Sequence, residues 1–341
     1  METVLIKLGK QTVFHVGEAS EVASVRRAGN ELARRIGFDE VRTGEVAIVI
    51  TEAATNIVKH AREGEILLRT LVAGKRAGIE IIAIDRGPGM ANVARSMEDG
   101  NSTAGSYGVG LGAIGRMAPE FDVYSIEGQG TVLLMRLWDG DASVPRGDWR
   151  VGAVCLPLPS EEICGDAWEI GDDGGALCVA VADGLGHGPD AALASLPAVA
   201  LAASRPELGP EQLLQLAHQA LRGTRGAAMA VARVDAEAGL LRFAGVGNIA
   251  ACVIEHDARR HLMSHNGIVG SNLRKVQEFT HPWTASTMLL LHSDGIATRW
   301  DLNTYPGLAF RHPGVIAAVL YRDFARQRDD ATVLVLRQRT A

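Results

Sequence analysis

Cysteine is scarce in this chain. There are four in 341 residues, Cys155, Cys164, Cys178 and Cys252, with no C-x-x-C spacing among them. That excludes a disulfide framework and predicts free thiols in a reducing cytoplasm. An excess of basic charge is also missing. Lys and Arg number 34 against 40 Asp and Glu, a net −6, and neither half is basic, so no nucleic-acid partner is expected. No uncharged apolar run approaches the ~20 residues of a membrane helix. The start, Met-Glu-Thr-Val-Leu, lacks the basic residues and apolar stretch of a signal peptide, so no membrane partner is expected either. What is present is a globular composition, 47% apolar and 22% charged, which excludes a mainly disordered chain. At ~150 residues per domain, the length points to two domains.

The first half alternates helix and strand. Val22, Val25, Ala28, Leu32 and Ile36 have helical spacing over 18–36, closed by Gly37. A second helix is expected over 42–61, strands over 65–73, 78–85, 121–127 and 130–137, and a helix near 110–118. Helices on one face of a mostly antiparallel sheet is the natural packing for this pattern. The polar stretch Asp139–Asp148, with its Pro and Gly, reads as a linker. Short β-rich runs follow at 150–157, 176–183, 227–234, 240–245, 249–255, 287–292 and 331–337. Helices near 189–204 and 210–222 interrupt them, and Pro197 is expected to kink or split the first. The second half therefore reads as a β-sandwich flanked by helices.

Four features of the first half carry chemistry. Glu52, Asn56 and His60 fall at i, i+4 and i+8, hence on one face of a helix, which either solvates a flank or presents a site. Asp85-Arg-Gly87-Pro-Gly89 follows a strand; the carboxylate can accept from a ligand amine, and the glycines let backbone approach a flat ring. Gly108-Val-Gly110-Leu-Gly112 leads into a helix, whose free N–H groups suit phosphate. Gly128-Gln-Gly130-Thr131 lies between the last two strands. Each alone is a common turn; their order and contexts together are specific.

Residues 15–138 resemble the nucleotide-binding domain shared by gyrase, the Hsp90 chaperones, histidine kinases and MutL. Within that group the segment MEDGNSTAGSYGVGLGAIGRM is most similar to the serine/threonine kinases of bacterial partner switching, the stressosome switch kinase above all. The resemblance implies a GHKL α/β sandwich, the Bergerat-type ATPase fold, binding ATP with Mg2+. It implies that Asn56 holds the magnesium, that Asp85 reads the adenine amine, and that Gly87 and Gly89 line the adenine pocket with Thr131 beside it. Gly108, Gly110 and Gly112 would wrap the phosphates, and Glu52 would orient or deprotonate the attacking hydroxyl. No dimerisation helix of the histidine-kinase kind precedes the pocket, which favours a serine/threonine kinase, with His60 structural. The span 99–108 is expected to act as a nucleotide-dependent lid.

In the second half, aspartates stand at strand ends. Asp166 lies in CGDAW, Asp183 in VADGLGHG after an apolar run, Asp294 in LLLHSDGI, and Asp329 and Asp330 in RDDATVLVL before one. An apolar strand ending in Asp-Gly is a common turn. Four such ends in one domain would gather carboxylates whose repulsion hard divalent cations offset. There is no His/Cys cluster with zinc spacing. Residues 150–338 resemble the metal-dependent type-2C phosphatases of the sporulation and stress-response branch, with GDAW, ADGLGHG, TRGAAMAVARVD, GVGNI, HNGIVG, HSDGI and DDATVLVL in the family's order. The resemblance implies an α-β-β-α sandwich and a pair of Mn2+ or Mg2+ ions. Asp183 would bridge them, the Gly184 carbonyl would support one, and Asp166, Asp294 and Asp329 would complete the set, with Asp330 orienting. Cys164 stands where a smaller residue is commoner, a packed thiol or a redox-sensitive one. Arg150 is the only nearby candidate for a phosphate-binding cation.

The expected organisation is α+β in two domains, 1–140 and 150–341, with 141–149 between them. The expected function is a bifunctional partner-switching regulator: a kinase for Ser or Thr on an anti-sigma antagonist (STAS-type) protein or stressosome-like scaffold, fused to a phosphoserine/phosphothreonine phosphatase, with homodimer formation left open. Two alternatives stand beside it. One makes the first domain an ATP sensor that controls the phosphatase; the other makes it a module that sequesters a sigma factor or antagonist.

Overall fold

A computed structural model describes residues 5–97, 110–140, 147–255 and 258–339. The expected lid, Gly108 and most of the expected linker lie outside the described residues. The chain forms two compact units, and neither is one stretch of sequence. The N-terminal unit is Ile6–Arg146 with Pro306–Arg322; the C-terminal unit is mainly Gly147–Tyr305 and the residues from Asp323 on.

In the N-terminal unit β1 (Ile6–Leu8) and β2 (Thr12–Val16) precede two helices, α1 (Ala19–Arg35) and α2 (Glu40–Asn56). Glu18 caps α1, its own N–H donating to Glu21 at 3.0 Å, and Asp39 caps α2 by accepting from Arg42 N at 2.7 Å. The two helices meet closely at Gly29, where a Cβ would lie 2.1 Å from Ile50 Cδ1. The α-helix ends at Asn56, and a π-helical turn, Ile57–Ala61, follows. The expected single helix over 42–61 therefore changes pitch within its last turn. That wider turn breaks the i, i+4, i+8 face, so His60 leaves the line of Glu52 and Asn56.

Next come β3 (Gly64–Ala73), β4 (Arg76–Asp85), the short α3 (Val93–Ser96), α4 (Gly110–Met117), β5 (Glu120–Ile126) and β6 (Gly130–Trp138). The antiparallel sheet runs β1-β3-β4-β6-β5, with β2 also on β3. Alternation sends Ile66, Leu68, Ile79, Ile81, Leu133 and Met135 into a core with Val46, Val49 and Ile50 of α2. The intervening residues Leu67, Arg69, Leu71, Glu80, Ile82, Leu134 and Arg136 point the other way, yet they are buried too.

The C-terminal unit has two five-stranded antiparallel sheets. One is built from β8 (Asp166–Asp172), β9 (Leu177–Gly184), β10 (Ala227–Asp235), β11 (Leu240–Val246) and β14 (Phe279–Pro282). The other uses β7 (Trp149–Leu156), β12 (Ala250–Glu255), β13 (Ala258–Leu262), β15 (Met288–His292) and β16 (Ala331–Gln338). Helices α5 (Gly188–Ser204) and α6 (Pro210–Ala220) cover the first, through Ala194, Ala198, Leu213 and Leu214 against Ala180, Ala182, Met229 and Val231. Pro197 sits inside α5 without splitting it. Helix packing on both sides of the break outweighs the one lost hydrogen bond.

A last helix, α7 (Pro313–Phe324), was not legible in the sequence. Eight consecutive residues, Pro313–Leu320, are buried, so it shows no amphipathic period. It enters the chain between β15 and β16, but residues up to Arg322 pack in the N-terminal unit. There a Cβ on Gly314 would meet Leu134 Cδ1 at 2.5 Å, and Asp122 accepts from His312 N at 2.6 Å. This helix explains why residues on the second face of that sheet, Leu134 among them, are buried.

Candidate active sites

In the N-terminal unit, β4 ends at Asp85, and its Oδ1 accepts from Gly87 N at 2.8 Å and Thr131 N at 3.2 Å. Burial pushes its carboxyl above the ordinary value, and these two backbone donors pull it back, with Arg322 and His60 adding positive charge. Glycine is required around it. Gly130 has φ +87°, and a Cβ there would sit 2.1 Å from Asp85 O; Gly89 has φ +67°, and a Cβ would sit 2.0 Å from Ile126 O. A Cβ on Gly87 would meet Ala61 at 2.7 Å. Thr131 Oγ1 is 2.9 Å from Ser125 Oγ, fixing its side chain away from Asp85.

Asn56 is the last residue of α2, immediately before the π turn, and Glu52 lies one turn earlier; both are half-buried. Gly110 and Gly112 occupy the first turn of α4, whose N–H groups have no partner within the helix and suit an anion. Glu52 Oε2 approaches Gly110 to 3.9 Å of where its Cβ would stand. The described structure thus joins Glu52 to the glycine helix start and Asp85 to Thr131 and the 87–89 turn. Gly108 lies outside the described residues.

In the C-terminal unit, pairing of β8 with β9 sets Asp166 directly opposite Asp183, with Gly184 next. Asp294 follows β15, and Asp329 and Asp330 precede β16, its antiparallel neighbour. Each sheet thus brings two strand ends to the aspartates. Burial, then Asp166, Asp294, Asp329 and Asp330, push Asp183 up to about 9. Burial first, and then Asp330 and Asp329, push Asp166 up to about 7. Such mutual repulsion is what a bound cation relieves. Asp166 Oδ2 and Asp294 Oδ1 are buried with no hydrogen-bond partner, and hard oxygen donors suit Mn2+ or Mg2+. The donor set fits a divalent ion. Among the described residues no three such side chains converge as a cage.

Asp330 is engaged differently. Its two oxygens accept from Leu158 N and Gly165 N, each at 2.9 Å, which clamps the loop leading into Asp166. Glycine permits this: a Cβ at Gly165 would meet Asp330 Oδ2 at 2.6 Å, and one at Gly184 would meet Ala191 O at 2.1 Å. Sequence reasoning missed Asn248, in the GVGNI motif, whose Nδ2 donates to Asp294 at 2.7 Å. It also missed Arg225, which pairs with Asp190 on the first turn of α5 beside the Asp183 loop. Arg150 is misplaced as a phosphate ligand: it pairs with Arg337, at the opposite end of β7 from Leu156 and Ala331. His187 caps α5 and contacts Glu161 at 2.7 Å. His292 is buried, receives Trp300 Nε1 at 3.2 Å, and is pushed down to about 4 by that burial, so it is a neutral core residue.

Residues 17–137 match the family described as the histidine kinase-like ATPase domain, and residues 173–339 match stage II sporulation protein E (SpoIIE). The serine/threonine-protein kinase RsbT of Bacillus subtilis (strain 168) is 34% identical over 131 residues, 38% of this chain and 98% of RsbT. The phosphoserine phosphatase RsbX of the same organism is 24% identical over 142 residues, 41% of this chain and 71% of RsbX. A solved structure from work on the bacterial stressosome as a modular system is 33% identical; it covers 55% of this chain and 99% of its own, with a TM-score of 0.52.

Proposed function

The chain belongs to the RsbT family of kinase-type ATPase domains, here fused to a SpoIIE-type phosphatase domain, and we propose that it works both directions of a phosphorylation switch. The N-terminal unit transfers phosphate from ATP to Ser or Thr of an antagonist protein of the STAS type or of a stressosome-like scaffold. The C-terminal unit hydrolyses phosphoserine or phosphothreonine. Both act in the cytoplasm. The observation that most supports this reading is that one chain holds two separate carboxylate-centred sites, Asp85 with Thr131 and the opposed pair Asp166–Asp183.

In the kinase reaction Asp85 accepts from the adenine amine, and the close backbone at Gly89 and Gly130 walls the ring. The start of α4 presents N–H groups to the phosphates. Asn56 would hold the magnesium that accompanies ATP. Glu52 orients the acceptor hydroxyl and takes its proton. In the phosphatase domain Asp183, Asp166, Asp294 and Asp329 and the Gly184 carbonyl would hold two divalent ions, which when bound would supply an activated water for attack on the phosphoester. Asp330 keeps the Asp166 turn in place and Asn248 orients Asp294.

The test uses the full chain with an antagonist protein. Labelled γ-phosphate should pass to the antagonist, and Glu52→Gln should keep ATP binding but lose transfer by ~10²-fold or more. Asn56→Ala should weaken magnesium–ATP binding in calorimetry. Transfer by Glu52→Gln at the parent rate would overturn the kinase assignment. ATP binding without any transfer, with phosphatase rate following ATP, would establish the sensor reading instead.

A further inference from the structure

We propose that Cys155 and Cys164 are a modification site, joined by peroxide in a reversible disulfide beside Asp166. Neither thiol has a part in the reactions above. Cys155 lies on β7 opposite Thr332, and Cys164 closes the loop that leads into Gly165 and Asp166. Their Sγ atoms are 3.7 Å apart, and Cys155 Sγ lies 3.7 Å from Asp166 O. Both residues are half-buried, whereas Cys178 and Cys252 are buried and have no thiol contact of this kind. Asp330 already holds both ends of the intervening loop, through Leu158 N and Gly165 N. The thiols are therefore kept in contact by the fold, and rotation about their side-chain bonds brings sulfur to sulfur.

The chemistry balances with hydrogen peroxide as oxidant. One thiol gives up its proton and its sulfur attacks a peroxide oxygen; an S–O bond forms, the O–O bond breaks, and the departing hydroxide takes that proton and leaves as the first water. The second thiol's sulfur attacks that sulfenic sulfur; the S–S bond forms, the S–O bond breaks, and the second water leaves. The sulfur pair loses two electrons, and a dithiol reagent returns them.

The new bond ties β7 to a residue two places before Asp166. Asp166 is one of the carboxylates proposed to hold metal, and a tied turn should restrict how it meets an ion; this part rests on the phosphatase reading. The full chain is treated with hydrogen peroxide, free thiols are alkylated, and the digest is mapped by mass without reduction. The expected product is one peptide pair linked through Cys155 and Cys164, reversed by dithiothreitol, with Cys178 and Cys252 alkylated only after denaturation. Cys155→Ser, with an unchanged circular-dichroism melt, should lose the link. Isolated sulfinic acids, or links between molecules in place of this one, would overturn the site. The same oxidised sample should show a smaller manganese-induced rise in melting temperature than the reduced one. An equal rise in both, with the link present, would overturn only its effect on metal.

Discussion

Glu80 has no place in either reaction, yet it is among the most consequential side chains of the N-terminal unit. It is fully buried between Arg69 at 2.5 Å and Arg136 at 2.7 Å. Burial pushes its carboxyl upward, and the two guanidinium charges together overcome this and hold it below the usual range. Glu80→Gln removes the carboxylate charge that both buried guanidinium groups share, with Glu120 still 3.3 Å from Arg136, and should cost about 3–5 kcal/mol in urea unfolding. The pH dependence has a fixed sign. A carboxylate with a lowered folded value stabilises above about pH 4.5 and loses that contribution as pH falls through the folded value. The parent should therefore lose stability in acid more steeply than Glu80→Gln, as thermal melts between pH 6 and 3 would record.

Asp183 gives a different residue-scale expectation. Asp183→Asn puts a neutral side chain where burial and Asp166, Asp294, Asp329 and Asp330 oppose a carboxylate. It should raise metal-free stability, because folding no longer has to suppress an ionisation that the unfolded chain keeps, and abolish the manganese-induced melting shift expected of the parent. Phosphatase activity on p-nitrophenyl phosphate should be lost while ATP binding survives. A parent-like manganese shift in this variant would overturn the bridging assignment.

At the scale of elements, the strands β4 and β6 and the turns between them build the surroundings of Asp85, the proposed adenine end. Gly130→Ala should be more damaging than a strand substitution of equal size. Its φ is +87° and its Cβ would lie 2.1 Å from Asp85 O, so β6 must shift and Thr131 N leaves Asp85. We expect a loss of more than ~1 kcal/mol in unfolding and weaker ATP binding by calorimetry. Gly128→Ala, with nothing within 4 Å, should pay only the strain of its φ of +79° and keep ATP affinity.

Elements were legible where apolar period and length agreed. The strands at 65–73, 78–85 and 331–337 have long β-branched runs, and the structure places β3, β4 and β16 there. β8 was missed because Asp166, Glu169 and Asp172 dilute its pattern, although Ala167 and Ile170 are buried. β14 is four residues, Phe-Thr-His-Pro, too short for a period to register. Of the sites, Asp183 and Asp85 announce themselves by Asp-Gly or Asp-x-Gly at a strand end. Asn248 carries no such mark; only the register that brings β12 beside β15 reveals it. The π turn after Asn56 was hidden because Ile57-Val58-Lys59-His60 suits an ordinary helix equally well.

At the scale of the whole molecule, the division into domains does not follow the chain. Cutting at the polar stretch after Gly140 looks natural from composition, yet it removes α7 residues that pack against Leu134 and Asp122. A fragment ending at residue 140 should be poorly soluble and melt lower than the same fragment co-expressed with 306–322 joined by a flexible linker. Equal melting temperatures for the two would show that α7 adds nothing to that unit.

The same helix sets an order of events during synthesis. The sheet is complete in sequence at Trp138, but its packing helix is not finished until Arg322. At ~5–20 residues per second, the ribosome needs on the order of ten to forty seconds to cover that gap. Through that interval Leu134 and its neighbours wait without Gly314, while the metal-site strands emerge. The nascent chain is therefore most exposed to chaperones and to sheet-to-sheet association before α7 has emerged. The kinase-type domain, although it precedes the phosphatase along the chain, becomes whole only after most of the phosphatase has been made.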